Sequence, residues 1–352
     1  MIKVAVVGVG NISVEHINAY MKNPDVEVVA FCDFDEAQLK RRGQEYGITR
    51  LYTDIDDLLK DGEDIDAVSV CTWNTVHAEH AIKALDAGKH VLSEKPMSHS
   101  VECAEQMKAA AERNNKVLMI GFVRRFGNDT KVIEKFINDD TFGTFYYSKA
   151  ELLRRHGNPG GWFSDKSRSA GGPLIDLGVH VIDLVRYLMG KPKVVSVYGA
   201  TFDKILKSRE TLIDRPAYVS NSRTEKDPVD VEDLAVALIR FENGAVLNVE
   251  ASFSLDIKED RMNIEMFGPK GGFSLSPEIE MYTSAHGHLI NTSFDSDTAL
   301  NFSGLFENEI NHFVDVIVNG VPCISPPEDG VEMMKILEAI YESAKLQKEV
   351  IL

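Results

Sequence analysis

Basic residues are in short supply. The 352-residue chain carries 55 Asp and Glu against 38 Lys and Arg, a formal charge of −17. Nucleic acid and anionic membrane surfaces both reward clustered cations, so this deficit argues against either as a partner. Long apolar runs are missing too, and none approaches the roughly 18 residues of a membrane span. The run Met1–Val7 is too short for a signal-peptide core and leads straight into a glycine turn, which reads as a buried strand. Cysteine is sparse: Cys32, Cys71, Cys103 and Cys323 stand far apart with no CxxC pair. Reduced thiols in a cytoplasmic protein are expected, rather than a disulfide framework. Repeats and low-complexity tracts are absent. What remains, at 44% hydrophobic and 26% charged residues, is a globular chain of about two domains.

Through residue 121, short apolar runs alternate with amphipathic segments. Strand-like runs fall at Ile2–Val7, Val26–Cys32, Asp66–Cys71, Lys89–Ser93 and Val117–Gly121, with helical patterns between them. That alternation predicts a parallel sheet covered by helices on both faces. The first strand ends in Gly8–Val9–Gly10–Asn11–Ile12–Ser13, a G-x-G-x-x-S turn. Gly8 permits the tight turn, and Gly10 lets a pyrophosphate approach the backbone at a helix N-terminus, where Asn11 and Ile12 lie. Ser13 departs from the usual third Gly or Ala but is still small. Asp33, 23 positions after Gly10, closes the second strand, where a carboxylate accepts from ribose hydroxyls and repels a 2′-phosphate. Phe34 follows it with no adjacent cation, so NAD is expected ahead of NADP. The later strands end in Thr72, Trp73, Asn74 and His77, and in Glu94–Lys95–Pro96, all expected at the cofactor crevice. His77-x-x-His80 lacks a third ligand, and no metal site is expected.

The stretch Gly171–Leu188 predicts a helix buried nearly all round, opened by Pro173 and closed by Gly190 and Pro192. Asp176, His180, Asp183 and Tyr187 fall at i, i+4, i+7 and i+11, one polar stripe on an apolar cylinder. Asp176 and His180, nearest the glycine turn, are the expected chemical pair, whereas Asp183 and Tyr187 lie deeper and read as structural. Before this helix, Arg125 sits in the crossover, and His156, Asn158, Trp162 and Lys166 sit in or beside a polar loop suited to binding hydroxyls. Beyond it, alternating runs and an Asn243–Gly244 turn predict an antiparallel or mixed sheet. The stretch Ala200–Pro228 reads as a long excursion, and His286-x-His288 as a loop near the pocket mouth.

With Gly8–Ser13, Glu94–Lys95–Pro96 and Gly171–His180 in the same order, the chain resembles the Gfo/Idh/MocA oxidoreductases. The resemblance implies an α/β fold in two parts. Residues 1–122 would be a Rossmann domain, and residues 123–352 an α/β domain with a large open, mostly antiparallel or mixed sheet used for homodimers or homotetramers. The C-terminal helix could pack back on the first domain. Sugars, cyclitols or related polyols are the implied substrates, with NAD or NADP as cofactor. Carried across motif by motif, Lys95 would be the catalytic lysine and Asp176 and His180 its partners. Trp73 departs from the family pattern, in which proline is common, and bears on adenine-side packing. Two other readings fit the same fold: a non-catalytic dinucleotide-binding sensor, and a reductase of a conjugated or cyclic substrate.

Overall fold

The computed structural model describes residues 1–207, 218–224, 226–275, 278–294, 298 and 302–352. Part of the expected excursion, residues 208–217 and 225, lies outside the described residues. The chain divides into two units: Met1–Val123 with Asn301–Met334, and Arg124–Leu300 with Lys335–Leu352. The first unit takes in residues 301–334 from late in the chain as well as its N-terminal part.

The first unit begins with β1 (Ile2–Val7), α1 (Ser13–Lys22), β2 (Val26–Cys32), α2 (Glu36–Tyr46), β3 (Arg50–Tyr52), α3 (Ile55–Asp61) and β4 (Ala67–Val70). It continues with α4 (His77–Asp86), β5 (His90–Glu94), α5 (Val101–Asn114) and β6 (Leu118–Gly121). The six strands form a parallel sheet in the order β3-β2-β1-β4-β5-β6. The order reverses between β1 and β4, which places the ligand crevice of such a sheet beyond the C-terminal end of β1. Helix starts follow the sequence: the Asp35 carboxylate accepts from the N–H groups of Ala37 and Gln38, and the Ser100 hydroxyl oxygen from that of Cys103. The pair β3 and α3 was not anticipated, because a three-residue strand is too short to show a period.

In the second unit, α6 (Asn128–Asn138) leads to β7 (Tyr147–Leu153), the short α7 (Lys166–Ser169), a π-helical turn (Leu174–Gly178) and α8 (Val179–Leu188). The strands β8 (Val194–Phe202), β9 (Leu234–Phe241), β10 (Val246–Ser252), β11 (Arg261–Phe267), β12 (Gly271–Ser274), β13 (Glu280–Ala285) and β14 (His288–Ser293) follow. Gly244, at φ +84°, closes the β9–β10 hairpin as its Asn-Gly signal required. His286 and Gly287 likewise take left-handed conformations between β13 and β14. The His286-x-His288 stretch is thus a hairpin turn running into β14, and both residues are exposed.

Helix α9 (Phe302–Asn319) packs on α1 in the first unit. The division between units falls inside α10 (Pro327–Leu346), and β15 (Val350–Ile351) pairs with β8. The second sheet is mixed and nine-stranded, in the order β14-β13-β12-β11-β7-β10-β9-β8-β15, with β7 and β10 parallel. Helix α8 lies against β7, β10 and β11. Val179, Val181, Ile182 and Val185 on it are fully buried, each worth about 1.5–3 kcal/mol relative to an exposed side chain. On the β8–β9 stretch of the sheet, Tyr198 and Leu238 stay about half exposed.

Candidate active site

The cofactor end of the first unit is shaped by backbone constraints. Gly8 has φ +85°, and a Cβ there would lie 2.6 Å from the Cys71 carbonyl oxygen, so only glycine fits between β1 and β4. A Cβ on Gly10 would meet nothing nearer than the Gln38 side chain at 3.9 Å, which leaves open space over that amide. Helix α1 has no side-chain cap, and the Ser13 hydroxyl turns back to donate to the Gly10 carbonyl at 2.8 Å. An uncapped helix start beside an open glycine suits a pyrophosphate. Asn11 and Ile12, at the turn itself, are half-buried. Asp33 is held in place by the Val9 N–H (2.8 Å) on one carboxylate oxygen and the Asp35 N–H (2.9 Å) on the other. Burial raises its pKa, while these two amides act the other way. Phe34 is 71% exposed and meets Trp73 edge to face at 5.1 Å, a pair of rings beside Asp33 that suits an adenine.

Four of the expected cofactor residues follow β4, and they divide. Trp73 is half-buried, and so is Thr72, whose hydroxyl is paired with His80 Nδ1 at 3.2 Å; Asn74 is buried. His77 is a correction. It is 1% exposed, with Nδ1 2.8 Å from the Pro96 carbonyl and Nε2 3.0 Å from that of Thr72. Burial lowers its pKa, so the neutral ring donates to one of these carbonyls at a time and staples the two loops. Glu94 is a second correction. It is buried, with one oxygen accepting from His16 Nε2 (2.8 Å) and the other from the Lys95 backbone N–H (3.1 Å). Its carboxylate is therefore spent inside the unit rather than on a cofactor. Lys95 itself is half-buried at the strand end, followed by a cis bond to Pro96.

In the second unit, the polar stripe resolves as its position implied. Asp176 and His180 are half-exposed. Asp183 is buried in a bidentate pair with Arg125, at 2.6 and 2.9 Å. Arg125 also lies over the Tyr187 ring at 4.8 Å, and Tyr187 donates to Glu134 at 2.6 Å. Arg125 is thus a correction to the expected substrate set: its guanidinium has no exposed surface and is committed to the helix core.

The start of the stripe is not a regular α-helix. The Val179 N–H reaches the Leu174 carbonyl, an i→i−5 bond, so Asp176 sits in a π turn while His180 sits in α8. The turn is capped from a distance. The Glu232 carboxylate accepts from the N–H groups of Gly172 (3.0 Å) and Leu174 (3.2 Å), and the Tyr341 hydroxyl donates to it at 2.8 Å. A Cβ on Gly171 would meet the Tyr341 hydroxyl at 2.2 Å, and one on Gly172 the Glu232 carbonyl at 2.6 Å. Nothing local to residues 171–174 in the sequence names Glu232 as their cap. The paired glycines were the signal that something packs against that turn.

The remaining expected substrate residues belong to the β7–α7 connection. His156 forms an isolated antiparallel bridge with Ser254. The Asn158 amide oxygen accepts from the Gly160 N–H (3.0 Å) and the Ser164 hydroxyl (3.1 Å), which shapes the loop. Trp162 stacks on Phe163 at 3.9 Å and is half-exposed. Lys166 instead stands 5.8 Å over the Tyr341 ring. It lines a surface groove of about 600 Å³ with Thr201 and the end of α10, and none of the other expected site residues borders that groove.

A six-stranded parallel sheet with this glycine turn, followed by a mixed-sheet domain with an Asp-x-x-x-His turn, is the architecture of a dinucleotide-binding oxidoreductase. The chain belongs to the Gfo/Idh/MocA oxidoreductase family: residues 2–122 match its NAD-binding Rossmann fold and residues 134–352 its C-terminal alpha/beta domain. It is 35% identical to the D-glucoside 3-dehydrogenase of Escherichia coli (strain K12), over 98% of this chain and 95% of that one. It is 28% identical to the scyllo-inositol 2-dehydrogenase (NAD(+)) of Bacillus subtilis (strain 168), over 91% and 87%. Among solved structures, levoglucosan dehydrogenase in complex with NADH shares the fold, with a TM-score of 0.85 at 24% identity over 99% of this chain and 98% of that chain.

Proposed function

We propose that this chain oxidises, or in reverse forms, a secondary ring alcohol of a glucoside, sugar or cyclitol, with NAD preferred over NADP. The observation that carries the substrate class is the end-to-end likeness to a D-glucoside 3-dehydrogenase. The cofactor preference rests on Asp33, whose carboxylate is fixed by two backbone amides with no cation at residue 34. A 2′-phosphate would be repelled there. The open glycine turn and the Phe34–Trp73 pair fit a dinucleotide, which Gly8, Gly10 and Asp33 would hold. When bound, the nicotinamide exchanges a hydride with the carbinol carbon.

The alcohol must also lose its O–H proton. His180 takes that proton, since an imidazole titrates near operating pH. Asp176 orients the imidazole and favours its charged form. Lys95 donates a hydrogen bond to the same oxygen and stabilises its developing negative charge. His156, Asn158 and Trp162 bind the other hydroxyls. A second copy of the chain covers the open face of the nine-stranded sheet.

The test is NAD reduction followed by absorbance over a panel of glucosides, free hexoses and inositols, with NADP compared. Turnover of a ring alcohol is expected, with NAD the better cofactor. Lys95→Ala and His180→Ala are each expected to lower kcat by about 10²–10⁴-fold while NAD affinity persists. No turnover across the panel, or near-wild-type kcat in both variants, would overturn the assignment.

A further inference from the structure

Beneath the cofactor turn lies a cluster of ionisable groups that the proposed chemistry does not use. His16 on α1, Glu94 at the end of β5 and Glu309 on α9 are all buried, and their nearest ligand-type atoms lie within 4.8 Å of one another. His16 is held at both nitrogens, by Ser69 Oγ (3.0 Å) and by Glu94 (2.8 Å), and Tyr20 reaches the same Ser69 oxygen at 3.2 Å. Glu94 in turn accepts from the Lys95 backbone N–H. Glu309 is different: neither of its carboxyl oxygens has a hydrogen-bond partner among the described residues.

Charge balance limits what such a cluster can be. Ionised, Glu309 would add a second buried carboxylate charge with no hydrogen bond of its own and only His16 and the half-buried Lys95 to offset the two, and that charge is expensive. One proton on Glu309 removes it and leaves His16⁺ and Glu94⁻ as a neutral pair. We propose that His16, acting through Glu94, is a positioning residue for Lys95, and that Glu309 stands beside the pair as a neutral acid. His16 keeps Glu94 ionised and fixed, with one carboxylate oxygen on His16 and the other on the Lys95 backbone. The role rests on the reading of Lys95 as the lysine that meets substrate.

The surrounding groups agree. Burial pushes the Glu309 carboxyl well above its ordinary pKa, and the Glu94 charge adds to this although His16 opposes it. Burial works against the His16 charge, but Cys71 and Glu94 outweigh it and raise the imidazole. Burial also works against Glu94, which His16, Lys95 and His77 nevertheless hold low. Tyr20, which faces the cluster together with Cys71, His77 and Lys95, is raised by burial and stays neutral.

The pH dependence has a definite sign. Below the ordinary carboxyl pKa of about 4.3, folded and unfolded states both carry the Glu309 proton. Above it the unfolded chain releases the proton and the folded chain retains it, so the Glu309 contribution to wild-type stability falls as pH rises. Glu309→Gln lacks this dependence. Its apparent Tm relative to wild type is expected to climb between about pH 4 and 8, by about 2 °C or more. A Glu309→Gln deficit that widens with pH would show an ionised Glu309 and overturn the proposal. So would Mg²⁺, Mn²⁺ or Zn²⁺ raising the wild-type Tm but not that of the variant, which would mark a cation site.

Positioning is read separately. His16→Ala and Glu94→Gln are expected to lower kcat by about 10–100-fold, the cost of displacing a reacting group by the order of 1 Å. NAD affinity and substrate KM should change far less, and the kcat–pH profile should shift. Full activity in both, with Lys95→Ala inactive, would overturn the positioning role. An active Lys95→Ala would instead sink the catalytic reading and leave the Tm result to judge the cluster.

Discussion

Arg125 and Asp183 illustrate how much a single residue's surroundings decide. An arginine in a crossover segment reads from sequence as a plausible hydroxyl binder. In the fold its guanidinium is wholly buried and bidentate on Asp183, with the Tyr187 ring beneath it. Removing one member of such a pair leaves the other charge buried and uncompensated. Asp183→Ala should therefore cost about 3–5 kcal/mol in urea unfolding. Replacing both residues together by Leu and Met should cost less than Asp183→Ala alone. A loss under about 1 kcal/mol for the single variant would show that Arg125 finds another partner. At this scale the sequence was informative about type and weak about address. Gly8, Gly10 and Asp33 were legible because a tight turn and a strand-end carboxylate leave local signatures. His77, Glu94 and Arg125 were misplaced because burial and partners are set by residues 19 to 78 positions away. His16 was available as a clue: it shares the buried face of α1 with Ser13, Ile17 and Tyr20, and a histidine there needs partners.

At the scale of elements, the helix carrying Asp176 and His180 was foreseen, but its first turn was not. A four-residue spacing predicts one face of an α-helix, whereas the chain takes an i→i−5 turn between these two side chains. The cause lies outside the helix. Glu232, from the segment before β9, takes the amides of Gly172 and Leu174, and Tyr341 from α10 buttresses the carboxylate. No local period encodes a cap supplied 58 and 60 residues away. Since Asp176 follows Leu174 by two residues, the cap fixes where that carboxylate stands. Glu232→Ala is expected to destabilise the protein by about 2–4 kcal/mol, from lost charge-assisted hydrogen bonds and two buried amides left without an acceptor. It should also lower kcat with little effect on NAD affinity. Glu232→Gln, which keeps acceptor oxygen but loses charge, should fall between. Equal stability and kcat in wild type and Glu232→Ala would show that the π turn holds itself.

For the whole molecule, the two kinds of sheet were legible from a change in patterning along the chain. Parallel strands buried on both faces read as continuous apolar runs, while the later strands alternate. The return of 301–334 to the first unit was read only as a C-terminal helix that could pack back, because an amphipathic helix does not state which apolar surface it will cover. The alternation of the second sheet leads to the last expectation. On β9 the residues facing away from α8, Val236, Leu238 and Arg240, alternate with the buried Ala235, Ala237, Ile239 and Phe241. Leu238 pairs with Tyr198 on β8 and with Asn248 on β10, and Asn248 pairs with Lys149 on β7. This row mixes exposed apolar side chains with neutral polar and charged ones, the composition of an interface rather than of a core. If a second copy covers this face, a carboxylate at the middle of the row must lose its hydration with no cation assigned to it. The overall charge of −17 makes a further negative group there still less favourable. Leu238→Asp is therefore expected to lower the mass measured by light scattering at micromolar concentration to that of one chain. The unfolding midpoint of the isolated chain should change little, because Leu238 is already 45% exposed. An unchanged mass for Leu238→Asp would place any partner copy on a different surface.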